Sequence, residues 1–148
     1  METKALFFLV IIFFIVGPFS TVFAQSSDSS ICQQKIDTLT NQTYYYNVDT
    51  VAKLRDPKNT LLKEISKLVK VSDVAKKQGI SGVKIIVFYL IAENGDVFGT
   101  RFLRGEEQIA NKEEIIQIIE NKKYTPAMCN NEKVISNGLF SLQLCFKY

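Results

Sequence analysis

Val83-Lys84-Ile85-Ile86-Val87-Phe88-Tyr89-Leu90-Ile91-Ala92, turned by Glu93-Asn94-Gly95-Asp96 into Val97-Phe98-Gly99-Thr100-Arg101-Phe102-Leu103-Arg104, is the stretch on which the fold depends. The first run is dense in β-branched and aromatic residues. So continuous a run predicts a strand buried, or nearly buried, on both faces. Asn94-Gly95 supplies a tight hairpin turn, because both residues tolerate positive φ at the two central positions. The returning strand is expected to put Val97, Gly99, Arg101 and Leu103 on one face and Phe98, Thr100, Phe102 and Arg104 on the other.

Upstream, Asp56-Pro57 reads as a helix opening, with a capping side chain followed by a proline whose missing N–H costs nothing at the first position. Leu61, Leu62, Ile65, Leu68 and Val69 recur at three- and four-residue steps and form the apolar face of that helix, which is expected to pack on the sheet. Ser72 caps a second short helical turn that Gly79 ends in a left-handed conformation. Downstream, Asn111 and Glu114 have capping-box spacing, Ile115, Ile116, Ile118 and Ile119 form a second apolar face, and Pro126 blocks continuation. Leu139 to Tyr148 then alternates, with Phe140, Leu142, Leu144 and Phe146 on one face and Ser141, Gln143, Cys145 and Lys147 on the other. The order helix, strand, strand, helix, strand predicts an α+β fold. It is a two-layer sandwich in which helices pack one side of a small antiparallel sheet.

Met1 to Ala24 carries an early Lys4, an apolar run from Ala5 to Val16, a Gly17-Pro18 break and a Val22-Phe23-Ala24 end, the pattern of a secretory signal peptide. The rival is a retained membrane anchor, since the run with its tail approaches the roughly 20 residues that span a bilayer. Gln25 to Leu54 reads as a polar leader and N-terminal extension, with Thr43 to Val48 either a short strand or an irregular aromatic segment packed on the domain. The expected organisation is therefore 1–24 signal, 25–55 leader and extension, and 56–148 domain.

The net charge of +3 is scattered, with Lys and Glu interleaved and no basic stripe carrying aromatics, which argues against nucleic acid as a partner. There is no histidine, no glycine-rich phosphate loop and no glycine-bounded nucleophilic serine, so no catalytic, cofactor-binding or metal-binding residue is assigned. The paired carboxylates Glu106-Glu107 and Glu113-Glu114 are read as capping and solvated groups. Three cysteines, Cys32, Cys129 and Cys145, leave one unpaired after any single bridge, and the pairing stays open. A bridge from Cys32 would tie the leader to the domain. Cys129 is expected in a loop, and Cys145 either bridges or is a small buried thiol.

The segments Val74 to Gly82, Val83 to Val97, Ile115 to Lys123, Tyr124-Thr125-Pro126-Ala127 and Asn130 to Val134 occur in an order that resembles the C-terminal domain of the TonB family, over roughly Val71 to Tyr148. The resemblance implies a periplasmic arm that binds outer-membrane receptor segments or another envelope protein by strand addition. The implied edge is Phe140, Ser141, Leu142, Gln143, Leu144, Cys145 and Phe146, unless Ile31 to Tyr46 folds back and covers it. The chain departs from the energy-coupling members: it has no histidine, only three prolines, and Lys70-Val71-Ser72 where a Tyr-Pro is expected. The expectation is thus a free periplasmic protein-binding module, with no cofactor. The alternative is a short transducer anchored in the inner membrane.

Overall fold

Residues 32–56 and 60–145 are described by the structure, a computed structural model; the signal-like segment, Pro57 and Phe146 lie outside them. The chain runs β1 (Gln33–Ile36), β2 (Thr43–Asn47), β3 (Lys53–Leu54), α1 (Leu61–Leu68), α2 (Asp73–Lys77), β4 (Gly82–Ile91), β5 (Val97–Arg104), a 3-10 turn (Glu106–Gln108), α3 (Lys112–Glu120), β6 (Tyr124–Thr125), β7 (Ala127–Cys129), β8 (Glu132–Val134) and β9 (Ser136–Cys145). This is an α+β fold. Its main sheet has the order β1-β2-β9-β4-β5, while β3 pairs with β6 and β7 with β8.

The antiparallel pair β4 and β9 is the spine of the sheet, in register from Gly82 opposite Cys145 to Ile91 opposite Ser136. On one face Val83, Ile85, Val87, Tyr89 and Ile91 of β4 meet Phe140 and Leu142 of β9 under Leu61 and Ile65 of α1 and Ile115 and Ile119 of α3. The helical pairs are four residues apart, so each helix lowers one stripe onto the sheet. α3 packs over β5 and α1 over β9, with the two helices in contact. No helix among the described residues is long and apolar enough to cross a membrane.

Three local readings of the sequence are corrected. Helix α1 begins after Thr60, whose hydroxyl accepts the Lys63 N–H, and not at Asp56. In the β4–β5 hairpin Gly95 alone of the expected pair has positive φ, at 89°, and its N–H bonds to Ala92 O while Ala92 N–H bonds to Asp96 O. That is a three-residue connection with a glycine bulge. The two-residue turn with positive φ at both positions occurs instead at Asn130 and Asn131, between β7 and β8. Finally, Gly99 at φ 62° puts an extra residue into β5, so Val97 and Phe102 reach the same core although strict alternation sets them on opposite faces.

Asn111 precedes α3 but makes no capping bond to that helix. Its side-chain amide donates to Leu68 O and Glu114 Oε2 and accepts from Lys70 N–H, so it closes the C-terminal end of α1. A residue read from spacing as a cap on its own helix acts as a clasp between two helices.

The extension set apart by composition contributes β1, β2 and β3. Its hairpin tip bends over the sheet face opposite the helices. There Tyr44 meets Phe88 edge-on at 5.8 Å between ring centroids, and Asp37 pairs with Arg101. This cover explains why Phe88 and Leu90 are buried as fully as the residues on the helix side of β4.

Candidate functional site

Strand β9 is paired along its whole length on one side and almost bare on the other. Its contact with β2 is the parallel pair of Tyr45 and Ser136, held by a 2.8 Å bond from Tyr45 N–H to Ile135 O. Backbone groups of a strand point alternately to its two sides. Since the Ile135 carbonyl faces β2, the N–H and C=O of Leu139, Ser141, Gln143 and Cys145 face away from β4. Among the described residues no strand stands beside them. The alternative to an open edge, a fold-back of the extension, therefore occurs only at the head of this edge, and the rest is left uncovered among the described residues.

The side chains divide by face. Phe140 and Leu142 are buried in the core and Leu144 is half-buried against it, so they anchor the strand. Ser141, Gln143 and Cys145 are exposed on the opposite face. Leu139 is 59% exposed beside them, an apolar side chain that the alternation of the strand places on the polar face. A second exposed leucine comes from α1: Leu62 is 53% exposed, which corrects its assignment to the apolar packing face. Two residues on, Glu64 reaches across to Lys122 at the foot of α3. At 3.6 residues per turn Leu62 lies about 160° around the helix from Glu64, on the flank away from α3 and toward the open side of β9.

The three edges of the sheet's strands differ in how they are protected. β5 is bulged twice where it pairs with β4, which breaks the regularity of the strand, and β1 is four residues long with Lys35 in it. Leu139 to Cys145 contains neither a charge nor a proline, which are the usual devices that stop an edge from pairing.

Cys32 and Cys129 form a disulfide with Cα atoms 6.0 Å apart, across a sequence separation of 97. Cys129 stands on β7 and not in a loop, buried with Ala127 and Val134, and Cys145 is exposed and free, which overturns the buried-thiol reading. Asp49 Oδ2 lies 3.8 Å from Cys32 Sγ and accepts the Asn130 N–H at 2.7 Å. Cys32, Asp49 and Cys129 are close enough to share a metal ion, but with the two sulfurs bonded to each other neither is a thiolate ligand.

A cleft of about 500 Å³ lies at the far end of the sheet between Lys84, Arg104 and Glu106. Glu106 there pairs with Lys112 at 2.8 Å, and Glu107, Glu113 and Glu114 are exposed. The buried titratable groups are elsewhere. Tyr89 and Tyr124 share a hydrogen bond of 3.0 Å between their hydroxyls, and burial raises both above the ordinary tyrosine value.

Comparison with protein-family models finds no family that matches the chain, and comparison with curated proteins finds no match.

Proposed function

We propose that the protein is a periplasmic TonB-like binding module, free of the inner membrane, that takes an extended peptide as an added strand along Leu139 to Cys145. The partner is a segment of an outer-membrane receptor or of another envelope protein. The observation that carries this reading is the edge itself: seven consecutive residues without charge or proline, four of them with outward backbone groups, and no neighbouring strand among the described residues. Such an edge pairs with another chain unless it is defended. Main-chain bonds supply the affinity, and alternate side chains supply the selection. The exposed Leu139 on one face and Leu62 on the flank of α1 on the other favour a peptide that directs an apolar residue to each face. The TonB C-terminal resemblance over Val71 to Tyr148 supports the same edge.

The test is Gln143→Pro. The Gln143 N–H is directed outward, so proline removes a donor from the free edge and leaves the β4 pairing and the core side chains in place. Binding is measured against an array of N-terminal segments of the host's outer-membrane receptors. The expected result is a folded protein whose peptide binding falls at least tenfold. Unchanged binding to the folded variant rejects the edge.

A further inference from the structure

Where β2 leaves β9, a pocket of about 140 Å³ opens on the helix side of the sheet, lined by Tyr45, Ala52, Tyr89, Tyr124, Ser136 and Gly138. Its size is close to that of a roughly 150 Å³ cavity that accepts a benzene ring. Unlike such a cavity it is not wholly apolar. Ser136 is 4% exposed, and its hydroxyl is buried without a hydrogen-bond partner. The two other hydroxyls deep in the wall, those of Tyr89 and Tyr124, are bonded to each other. A buried unpaired hydroxyl is costly, and a ligand that bonds to it recovers that cost.

We infer that this pocket is a side-chain subsite for the hydroxyl-bearing ring of a tyrosine on the peptide that adds to β9. The inference rests on the reading of β9 as a docking edge and names the chemistry selected there. Gly138 lies one residue before the open run and sits opposite Tyr89. A Cβ on Gly138 would come within 2.2 Å of the Tyr89 ring, so glycine lets that ring lie across the strand. Residues in register on neighbouring strands direct side chains to the same face. A peptide residue level with Gly138 therefore points its side chain to the helix side, where the pocket is. Val51, 61% exposed, lies at the rim and offers the ring an apolar contact as it enters. Ser136 then meets the ring's hydroxyl.

The experiment titrates the intact chain with p-cresol and with toluene and follows the Tyr89 and Tyr124 ring signals and the Ser136 to Gly138 amides by NMR. Saturable p-cresol binding about tenfold tighter than toluene is expected. Ser136→Ala removes the difference between the two probes, and Ala52→Leu, which fills the pocket, abolishes both. Ser136→Ala is nearly isosteric and keeps the test decisive if Ala52→Leu does not fold. Absence of saturable binding, or equal binding of both probes to the unaltered protein, overturns the subsite. Peptides that bind the edge are then compared with their Tyr→Phe and Tyr→Ala forms, with losses of about tenfold or more expected only while the pocket is intact. Edge-binding peptides indifferent to the tyrosine overturn the subsite and leave the edge standing. Failure of every peptide while p-cresol still saturates the pocket overturns the peptide assignment and the edge together.

Discussion

The Asp37 carboxylate lies 2.5 Å from Nη2 of Arg101 and joins the tip of the β1–β2 hairpin to β5 across one face of the sheet. Asp37 is 3% exposed and also accepts the Thr40 N–H at 2.9 Å and the Thr40 hydroxyl at 2.8 Å. The Arg101 guanidinium lies over the Phe88 ring at 4.3 Å from its centroid. Arg101→Ala leaves a buried carboxylate without its cation. Because Arg101 itself is partly solvated, the expected loss lies between the surface and buried limits, about 2 to 3 kcal/mol. Denaturant unfolding of the single variants and of Asp37→Ala with Arg101→Ala measures it. A double variant equal to the sum of the singles shows that the pair is not coupled.

The same site sets a response to acid. Burial opposes ionisation of Asp37, but the Thr40 bonds and the Arg101 guanidinium outweigh it and hold the carboxyl below its ordinary value of 3.8. A folded pKa below the unfolded one gives stability that is fully present above about pH 4 and is lost as pH falls through the folded value. Asp37→Asn is therefore expected to flatten the loss of stability below pH 4. Its effect at pH 7 exceeds its effect at pH 2.5. Parallel acid-unfolding curves for the two proteins contradict this.

Alkali acts on the other side of the sheet with the opposite sign. Burial, with the Tyr124 hydroxyl beside it, raises Tyr89, and burial also raises Tyr124. An acid whose folded pKa is raised stabilises the fold below the unfolded value, near 10 for tyrosine, and the stability is lost as pH climbs above it. Tyr89→Phe is expected to delay alkaline unfolding above pH 10 relative to its effect at pH 7. Ultraviolet titration of tyrosinate alongside circular dichroism gives the answer: ionisation of Tyr89 in the intact fold rejects it.

How legible these features were differs from residue to residue. The spine of the fold could be read, because Val83 to Ile91 and Leu139 to Cys145 carry their burial in composition and alternation. So could the cap at Ser72 and the left-handed Gly79, with φ 66°. The bulge at Gly99 could not, since an extra residue shifts facing without changing composition. Nor could the role of Asn111, whose partners Leu68 and Lys70 lie some forty residues away and are fixed by packing of α1 on α3. The open edge was legible as a strand. Its openness depends on where β2 stops, and that is settled by the cover over Phe88, Leu90 and Arg101.

Glycine positions with similar φ separate backbone strain from crowding. Gly79 has φ 66°, and a Cβ there would meet nothing within 4 Å. Gly95 has φ 89°, and a Cβ there would lie 2.0 Å from Tyr124 O, which belongs to the residue whose N–H bonds to Gly95 O. Gly79→Ala is expected to cost about 1 kcal/mol, the conformational penalty alone. Gly95→Ala adds displacement of the Tyr124 backbone, for a total of about 3 kcal/mol or more. Chemical denaturation of both variants distinguishes the effects, and equal costs remove the crowding argument.

The disulfide gives the last prediction. Cys32 and Cys129 enclose most of the described chain, with a sequence separation of 97, so their bond restrains a long loop in the unfolded state. Loop entropy for that length corresponds to about 4 to 5 kcal/mol, an upper value because unfolded chains retain structure. What the bond holds locally is narrower. It ties the start of β1 to β7, while β4 and β9 are joined by their own full ladder. Reduction, or Cys32→Ala with Cys129→Ala, is expected to lower the global stability and to speed amide exchange most in Lys35 to Tyr46. The β4–β9 ladder stays the slowest to exchange. In the unreduced native protein one thiol, that of Cys145, reacts with a thiol reagent, and the count rises to three only after reduction and unfolding. Three reactive thiols before reduction, or loss of protection spread evenly over the sheet, would show that the hairpin is not what the bond holds.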